Sequence, residues 1–202
     1  MNSFRTLQSY PLEDCMSAII DYRGKTPRKT DHGVPLITAR IVKGGRIETP
    51  NDFVDPLEYD DWMRRGIPKV GDVLITTEAP LGEVAQLTDE RVALAQRLIL
   101  LRGNPEILDN SYLKYLLMSD GVQAQLQGRA SGTTVVGIKQ SELRKIKLEL
   151  PPIDEQRQIV DEIDRRLSLV RVVDSEIDAN LKRAQALRQS TLASAFGSNS
   201  AN

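Results

Sequence analysis

The chain has 202 residues, of which 40% are hydrophobic and 27% are charged, and its formal net charge is −1 at pH 7. These values are ordinary for a globular protein and favour no particular partner. A single cysteine excludes an internal disulfide framework, and one cysteine with one histidine argues against a zinc site. No apolar run is long enough to span a membrane, and the N-terminus leads into no signal-peptide core. We therefore expect a cytoplasmic protein that binds neither metal nor membrane.

The charges are segregated along the chain even though their sum is small. Residues 23–46 hold seven bases and one acid, residues 129–147 hold five bases and one acid, and residues 48–61 hold six acids and no base. Such segregation can make one face of a near-neutral protein positive. The alternative is that these segments are solvated loops without a partner, and charge alone leaves both interpretations open.

The first half of the chain predicts short strands separated by loops. An amphipathic turn of helix running into a strand is predicted within residues 1–21, followed by an exposed basic loop over 23–33 that contains Gly and Pro. A strand is predicted over 34–39 and a hairpin over 41–47, with Gly44 and Gly45 at its turn. Residues 48–61 fit neither a calcium loop nor a carboxylate pair and are interpreted as solvated, and Trp62 as a packing residue.

The second half predicts further strands and one clear helix. Strands are predicted over 73–77, 83–87 and 92–101, the last mostly buried and interrupted by Gln96 and Arg97. Those two residues are either base-contacting groups or an interior Gln beside a surface Arg. A helix over 111–118 with Asp109 or Asn110 as its cap, a short turn over 122–126 and a last strand over 145–150 follow. The pattern predicts a mixed α/β, or α+β, domain.

A glycine- and hydroxyl-rich stretch over 128–139 is the best phosphate-binding candidate of the sequence. Small residues allow backbone N–H groups to approach a phosphate closely, and Arg129 and Lys139 flank the stretch. The Gly-Lys-Ser/Thr ending of a nucleotide-binding P-loop is absent from it.

Residues 151–197 predict one helix of about 44 residues, roughly 65 Å long at 1.5 Å per residue. Two prolines precede it, acids occupy its first turn, Gly197 is a candidate C-cap, and no Gly or Pro interrupts it. Its apolar positions recur every three or four residues: Ile159, Ile163, Leu167, Val170, Val173, Ile177, Leu181, Ala184 and Leu192. A helix this long needs another long helix along its stripe. The alternative is a break near residues 171–175 and a hairpin of two shorter helices.

Three sequence signatures follow one another along the chain. The first is Gly24-Lys25-Thr26-Pro27 with Gly44-Gly45-Arg46-Ile47, and the second is the run from Gly71-Asp72 to Val84-Ala85. The third is Ser131-Gly132-Thr133-Thr134-Val135-Val136-Gly137-Ile138, leading through Pro151-Pro152 to Glu155-Gln156. Together they cover nearly the whole chain, and in this order and spacing they make it resemble the specificity subunit of type I restriction–modification systems.

The resemblance implies a target-recognition domain over 1–150 that contacts half of a bipartite site on double-stranded DNA. It implies a spacer helix over 151–197 that pairs antiparallel with another such helix, in this case to form a homodimer, and residues 198–202 are expected to be a disordered tail. Family members bind methyltransferase subunits, which hold S-adenosylmethionine, and through them the nuclease–translocase subunit. This chain is therefore expected to have no catalytic residue and no cofactor, and to act in a bacterial or archaeal cytoplasm.

The expected DNA contacts fall into two groups. Those to phosphate come from Lys25, Arg28, Lys29, Lys43 and Lys139 and from the backbone of the stretch that holds Ser131, Thr133 and Thr134, and Thr26 and Arg129 are expected to contact DNA as well. Those to bases come from among Arg23, Arg40, Arg46, Thr76, Thr77, Gln96 and Arg97.

Two other functions are compatible with parts of the sequence. A coiled-coil assembly protein without a DNA role would use the long helix but not the basic loops. A hydrolase would use His32 with the carboxylates of residues 52–61, although His32 is more typical of an exposed turn residue.

Overall fold

The computed structural model describes residues 7–22, 26–89 and 91–196. Its strands are β1 (Gln8–Pro11), β2 (Met16–Asp21), β3 (Val34–Ile37), β4 (Val42–Lys43), β5 (Arg46–Ile47), β6 (Phe53–Val54), β7 (Val73–Thr77), β8 (Leu81–Gln86), β9 (Ala93–Leu94), β10 (Leu98–Gly103) and β11 (Lys147–Leu150). Its helices are α1 (Tyr59–Trp62), α2 (Asn110–Met118), α3 (Asp120–Arg129), α4 (Gln140–Leu143) and α5 (Ile153–Phe196), with 3-10 turns at Leu12–Cys15 and Ala39–Ile41. The predicted α+β architecture is confirmed.

A four-stranded antiparallel sheet in the order β2-β10-β7-β8 lies at the centre of the fold. The side chains of its two middle strands point alternately into two hydrophobic clusters. Val73 and Ile75 of β7 belong to one cluster, which also contains α2 and α3 residues, and Leu74 belongs to the other. Because strand side chains alternate between faces, the run of apolar residues is buried on both sides of the sheet.

Smaller sheets surround this centre. β1 pairs with β11, so the first and last strands meet, and β3 pairs with β6 on one side and, in parallel, with β9 on the other. The predicted hairpin is confirmed as β4 and β5, with Gly44 and Gly45 at positive φ in its turn. It docks through Gly45, whose N–H donates to Val84 O at 2.9 Å at the outer edge of β8.

Several predicted boundaries differ from the structure. Residues 92–101 form two strands in different sheets, because the chain turns at Arg97, whose φ is +74°. The predicted helical turn near the N-terminus is only a 3-10 turn between β1 and β2. Residues 48–61 contain β6 and the start of α1, and the predicted turn at 122–126 is a helix of 10 residues, α3.

Two predictions about single residues are confirmed. Trp62 packs against the core and donates from Nε1 to Leu94 O at 3.0 Å, as a packing residue would. Asp109 caps α2, accepting at Oδ1 from Ser111 N at 2.8 Å and from Tyr112 N at 3.1 Å. This cap satisfies two backbone donors that the first turn of a helix leaves open.

Asp72 forms a buried ion pair that fixes the approach to β7. Its carboxylate is 1% exposed and accepts from Arg102 Nε at 2.7 Å and Arg102 Nη2 at 2.6 Å. Its Oδ2 also accepts from Lys69 N at 2.8 Å, which closes the turn before the strand. The hydrogen bond to Asp72 raises the pKa of Arg102, so this guanidinium stays charged.

The described residues form two compact units, the first ending at Val160 and the second beginning at Asp161. α5 begins within the first unit, where Gln156 is fully buried. Gln156 accepts from Asp109 N at 3.0 Å and donates to Ile107 O at 2.8 Å and Pro151 O at 2.9 Å. One amide side chain thus connects the start of α5 to the residues that open α2.

α5 is a single helix of 44 residues, so the predicted continuity is confirmed and the alternative of a break near 171–175 is wrong. Its first turns bury Gln156 and Val160, whereas Ile159 of the predicted stripe is only half-buried. Further along, the stripe is exposed: Leu167, Val170, Val173, Ile177, Leu181, Ala184 and Leu192. Of the helices in the described ranges, none combines the length and apolar character that a membrane span requires.

Candidate nucleic-acid interface

Two adjoining clefts bring together many of the predicted DNA-contacting residues. The first cleft, of about 410 Å³, is lined by Thr77, Glu78, Gln96, Arg97, Ser131, Val135, Gly137, Ile138 and Lys139. The second cleft, of about 500 Å³, is lined by Thr26, Lys29, Leu36, Thr38, Ala39, Arg40, Ala79, Ala95, Gln96 and Arg97. Gln96 and Arg97 belong to both clefts. The two linings contain four bases and one acid, which makes the combined surface positive.

The loop on one side of the first cleft is held closed by its own backbone. Ser131 and Gly137 exchange hydrogen bonds, N to O, at 2.9 and 3.0 Å. Gly132 has a φ of +120°, and a Cβ there would lie 2.1 Å from Val135 O, so only glycine fits this turn. Ile138 N donates to Thr77 O at 2.9 Å and ties the loop to the end of β7.

Because the loop is closed at its base, its tip is presented to solvent. Thr133, Thr134, Val135 and Val136 are all exposed. Of the predicted stretch 128–139, the first two residues end α3, and Ser131–Gly137 forms a preformed projection beside the cleft, with hydroxyl groups and two valines at its tip.

The other side of the first cleft is the turn between β9 and β10. Arg97 adopts a left-handed conformation there, and its carbonyl accepts from Thr77 N at 2.9 Å. Its guanidinium is exposed and forms an ion pair with Glu78, with Nε 2.8 Å from Oε1. Gln96 is half-buried and donates from Nε2 to Thr26 Oγ1 at 3.2 Å, which joins the basic loop to this turn.

The bases of the second cleft differ in how they are paired. Lys29 Nζ lies 2.7 Å from Asp52 Oδ2. Arg40, on the 3-10 turn at Ala39–Ile41, is exposed, and no carboxylate of the described residues lies within ion-pairing distance of it. Arg40 is thus available to a ligand without first breaking an ion pair.

Some predicted residues lie elsewhere. Lys43 and Arg46 are on the hairpin at the outer edge of β8, where Lys43 pairs with Glu48 at 3.3 Å. Arg28 lines a third cleft with Trp62, Arg64 and Arg65 among others, and this cleft shares Thr26 with the second one. Arg23 and Lys25 fall outside the described residues.

The prediction that Thr76 contacts DNA is wrong, because the residue is buried inside the sheet. Its side chain is fully buried, and its Oγ1 accepts from Glu83 N at 2.9 Å inside the sheet. Its neighbour Thr77 points to the other side and lines the first cleft. The alternation of strand side chains separates the two threonines.

Arg129 is engaged in an ion-pair network beside the clefts. Its Nη1 lies 3.4 Å from Glu142 Oε2, and Lys145 Nζ lies 2.7 Å from Glu142 Oε1. Hydrogen bonding to Lys145, and then to Arg129, lowers the pKa of Glu142. Arg129 lines neither cleft, so the structure does not place it with the other predicted contacts.

Neither Glu78 nor Val135 is among the predicted DNA contacts. Glu78 is an acid between two predicted strands, and Val135 is one of two adjacent valines in a glycine- and hydroxyl-rich stretch. The pairing of Glu78 with Gly137, an isolated antiparallel bridge, helps to bring both into the first cleft. No local sequence signal predicts this bridge, because its two residues lie far apart in the chain.

The acids proposed for the hydrolase alternative do not form a metal cluster. Within residues 7–22, 26–89 and 91–196, no three His, Cys, Asp or Glu side chains could hold one ion together. Asp52 pairs with Lys29, and Asp61 lines the cleft that contains Arg28.

The chain is similar to proteins of a known family in both sequence and fold. Residues 25–178 match the family model described as the type I restriction modification DNA specificity domain. That match covers most of the chain. The chain therefore belongs to this family of DNA specificity domains.

Individual relatives agree with this assignment. The chain is 25% identical over 162 residues to the type I restriction enzyme MjaVIII specificity subunit of Methanocaldococcus jannaschii, which covers 76% of this chain and 38% of that one. It is 22% identical over 165 residues to the type I restriction enzyme EcoBI specificity subunit of Escherichia coli, with coverages of 81% and 35%. The chain thus spans about a third of the length of the curated relatives it matches.

A solved structure shares the fold. The HsdS subunit from Thermoanaerobacter tengcongensis superimposes with a TM-score of 0.66 at 21% identity, covering 97% of this chain and 51% of that one. The mixed α+β unit and the long C-terminal helix are both part of the shared fold.

Proposed function

We propose that this chain is the DNA-binding specificity component of a type I restriction–modification complex, and that its first unit contacts one half of a bipartite site on double-stranded DNA. The observation that carries the proposal is the pair of adjoining clefts, which concentrate four bases and one acid around a preformed hydroxyl-bearing loop. Phosphate neutralisation by Lys and Arg drives non-specific DNA affinity, and Arg and Gln side chains can distinguish base edges.

The second unit is proposed to be the assembly element. The exposed apolar residues of α5 need a partner helix, and a second copy of this chain in antiparallel orientation would bury the stripe of each. A two-fold pair of recognition units would contact an inverted repeat. The same complex would bind methyltransferase subunits, which supply S-adenosylmethionine, and through them the nuclease–translocase subunit.

A coiled-coil assembly protein without a DNA role is the competing proposal. It accounts for the exposed stripe of α5, but it assigns no ligand to the two clefts. It also gives no reason for Arg40 to stand exposed without a carboxylate partner among the described residues.

Selection of binding sites from a random-sequence duplex library with the purified chain tests the proposal. We expect enrichment of a motif with two defined half-sites separated by a spacer of fixed length. A folded dimer that enriches no sequence and binds no duplex at moderate salt would contradict the DNA role and favour the assembly protein.

A further inference from the structure

The geometry points to a binding site for a single DNA backbone phosphate in the first cleft, formed by Arg97, Lys139 and the hydroxyl groups of the Ser131–Gly137 loop. In this site Glu78 is a positioning residue that holds the Arg97 guanidinium. The inference rests on the proposed DNA-binding function and deepens it. It departs from the prediction that Arg97 contacts a base.

The ion pair places a carboxylate at one end of the guanidinium. Glu78 Oε1 lies 2.8 Å from Nε of Arg97. The two Nη groups lie at the opposite end, and two parallel N–H groups there match two phosphate oxygens. The side chains of Arg97 and Glu78 are 46% and 38% exposed, so a phosphate can reach the pair from solvent.

The backbone on both sides of the pair is constrained. Arg97 has a φ of +74° and Ala79 a φ of +46°, both rare for residues with a side chain. The carbonyl of Arg97 accepts a hydrogen bond from Thr77 N, and Glu78 forms a β-bridge with Gly137. A Cβ added at Gly137 would lie only 3.0 Å from Thr77 O, so the two segments are in close contact. Left-handed conformations of this kind are concentrated at functional sites, where the surrounding contacts hold them.

The rest of the cleft suits a phosphate. Lys139 is exposed at the start of α4, and no carboxylate of the described residues lies within ion-pairing distance of it. Ser131 also lines the cleft, and Thr133 and Thr134 are exposed on the same loop. Apart from Glu78, the polar side chains here can all donate, and phosphate oxygens only accept.

Substitution of Glu78 tests the positioning role, because its negative charge and its positioning of Arg97 predict opposite changes in DNA affinity. By charge alone, an acid beside a polyanion weakens binding, so removing it would tighten binding. A positioning role predicts the reverse for Glu78→Ala, because the free guanidinium loses its fixed orientation. Glu78→Gln keeps a polar oxygen of the same reach near Nε and removes only the charge, and it is expected to restore most of the affinity.

The experiment measures the affinity of the full chain for a short mixed-sequence DNA duplex across a salt series. Arg97→Asn, chosen because Asn tolerates left-handed backbone, is expected to weaken binding about tenfold and reduce the salt slope by about 0.9. Glu78→Ala is expected to weaken binding several-fold, and Arg97→Asn with Glu78→Ala no more than Arg97→Asn alone. The matched controls Glu13→Ala and Arg144→Ala break an ion pair of similar exposure that lines neither cleft.

The outcomes separate this inference from the function on which it rests. Tighter binding by both Glu78→Ala and Glu78→Gln would overturn the positioning role. Unchanged duplex affinity in Arg97→Asn, with a loss only on a selected target, would overturn the phosphate site and make Arg97 a base contact. Failure of the wild-type chain to bind any duplex would instead contradict the proposed function itself.

Discussion

Asp72 is the buried side chain whose loss we expect to destabilise the first unit most directly. Asp72→Ala would leave Arg102 without its carboxylate and Lys69 N without an acceptor. Breaking a buried ion pair from one side typically costs about 3–5 kcal/mol. Urea unfolding should show a loss of this size. Glu48→Ala, at the exposed pair with Lys43, is the control and should stay within about 0.5 kcal/mol.

Arg40 is the clearest candidate for a base contact, because it is exposed in the second cleft without a carboxylate partner in the described part of the chain. Arg40→Ala should reduce discrimination at one position of the target by about 1–3 kcal/mol and leave the other positions unchanged. Site selection with the wild-type and variant chains measures this directly. An equal loss on all sequences would assign Arg40 to the phosphate backbone instead.

For the two adjacent threonines of β7, the sequence does not predict which one is exposed. Both were candidates, since residue type alone cannot say on which face of a strand a side chain lies. Sheet register determines that Thr76 is buried, with its Oγ1 accepting from Glu83 N, and that Thr77 lines the cleft. That register depends on pairing with β8 and β10, which are distant in sequence.

At the scale of elements, the attachment of α5 depends on Gln156. Gln156→Leu would keep the volume but leave Asp109 N, Ile107 O and Pro151 O without this partner. Each buried unsatisfied group costs about 1–3 kcal/mol. Because the three groups can partly relax towards other partners, we expect the free energy of unfolding to fall by about 2–4 kcal/mol in total. Thermal unfolding of the first unit measures it, and Gln158→Leu, at an exposed position of the same helix, should have little effect.

The stripe of α5 is tested by comparing two apolar residues of nearly equal exposure. Ile177 belongs to the predicted stripe and is 57% exposed, whereas Val172 lies off it and is 56% exposed. We expect Ile177→Asp to dissociate the proposed dimer, because it would place a charge in an apolar interface, and Val172→Asp to leave it intact. Sedimentation at several concentrations distinguishes the two. Equal behaviour of both variants would contradict the proposed stripe.

The sequence predicted α5 well because its signals are local. Absence of Gly and Pro, acids in the first turn and pairs such as Glu162 with Arg165 and Arg166 all act within the helix. The split of residues 92–101 into β9 and β10 was not predictable in this way. Arg97 carries no residue-type signal for a left-handed turn, and the conformation is held by the backbone of β7.

At the scale of the whole molecule, a net charge of −1 conceals a local concentration of bases. The clefts collect residues 26–40, 77–79, 95–97 and 131–139, four segments that only the sheet topology brings together. The sequence identified most of these segments as candidates through their composition. It could not separate them from the hairpin bases Lys43 and Arg46, which lie at the outer edge of β8, because that distinction is tertiary.

The central claim is that two copies of this chain, joined through α5, direct methylation to an inverted repeat. Co-expression with a type I methyltransferase subunit from the same source, followed by mapping of methylated adenines, tests it most directly. The account predicts a bipartite motif whose two halves are inverted copies of each other. A bipartite but asymmetric motif would contradict the two-fold pair, and a stable complex that methylates no defined sequence would contradict the DNA-specificity role.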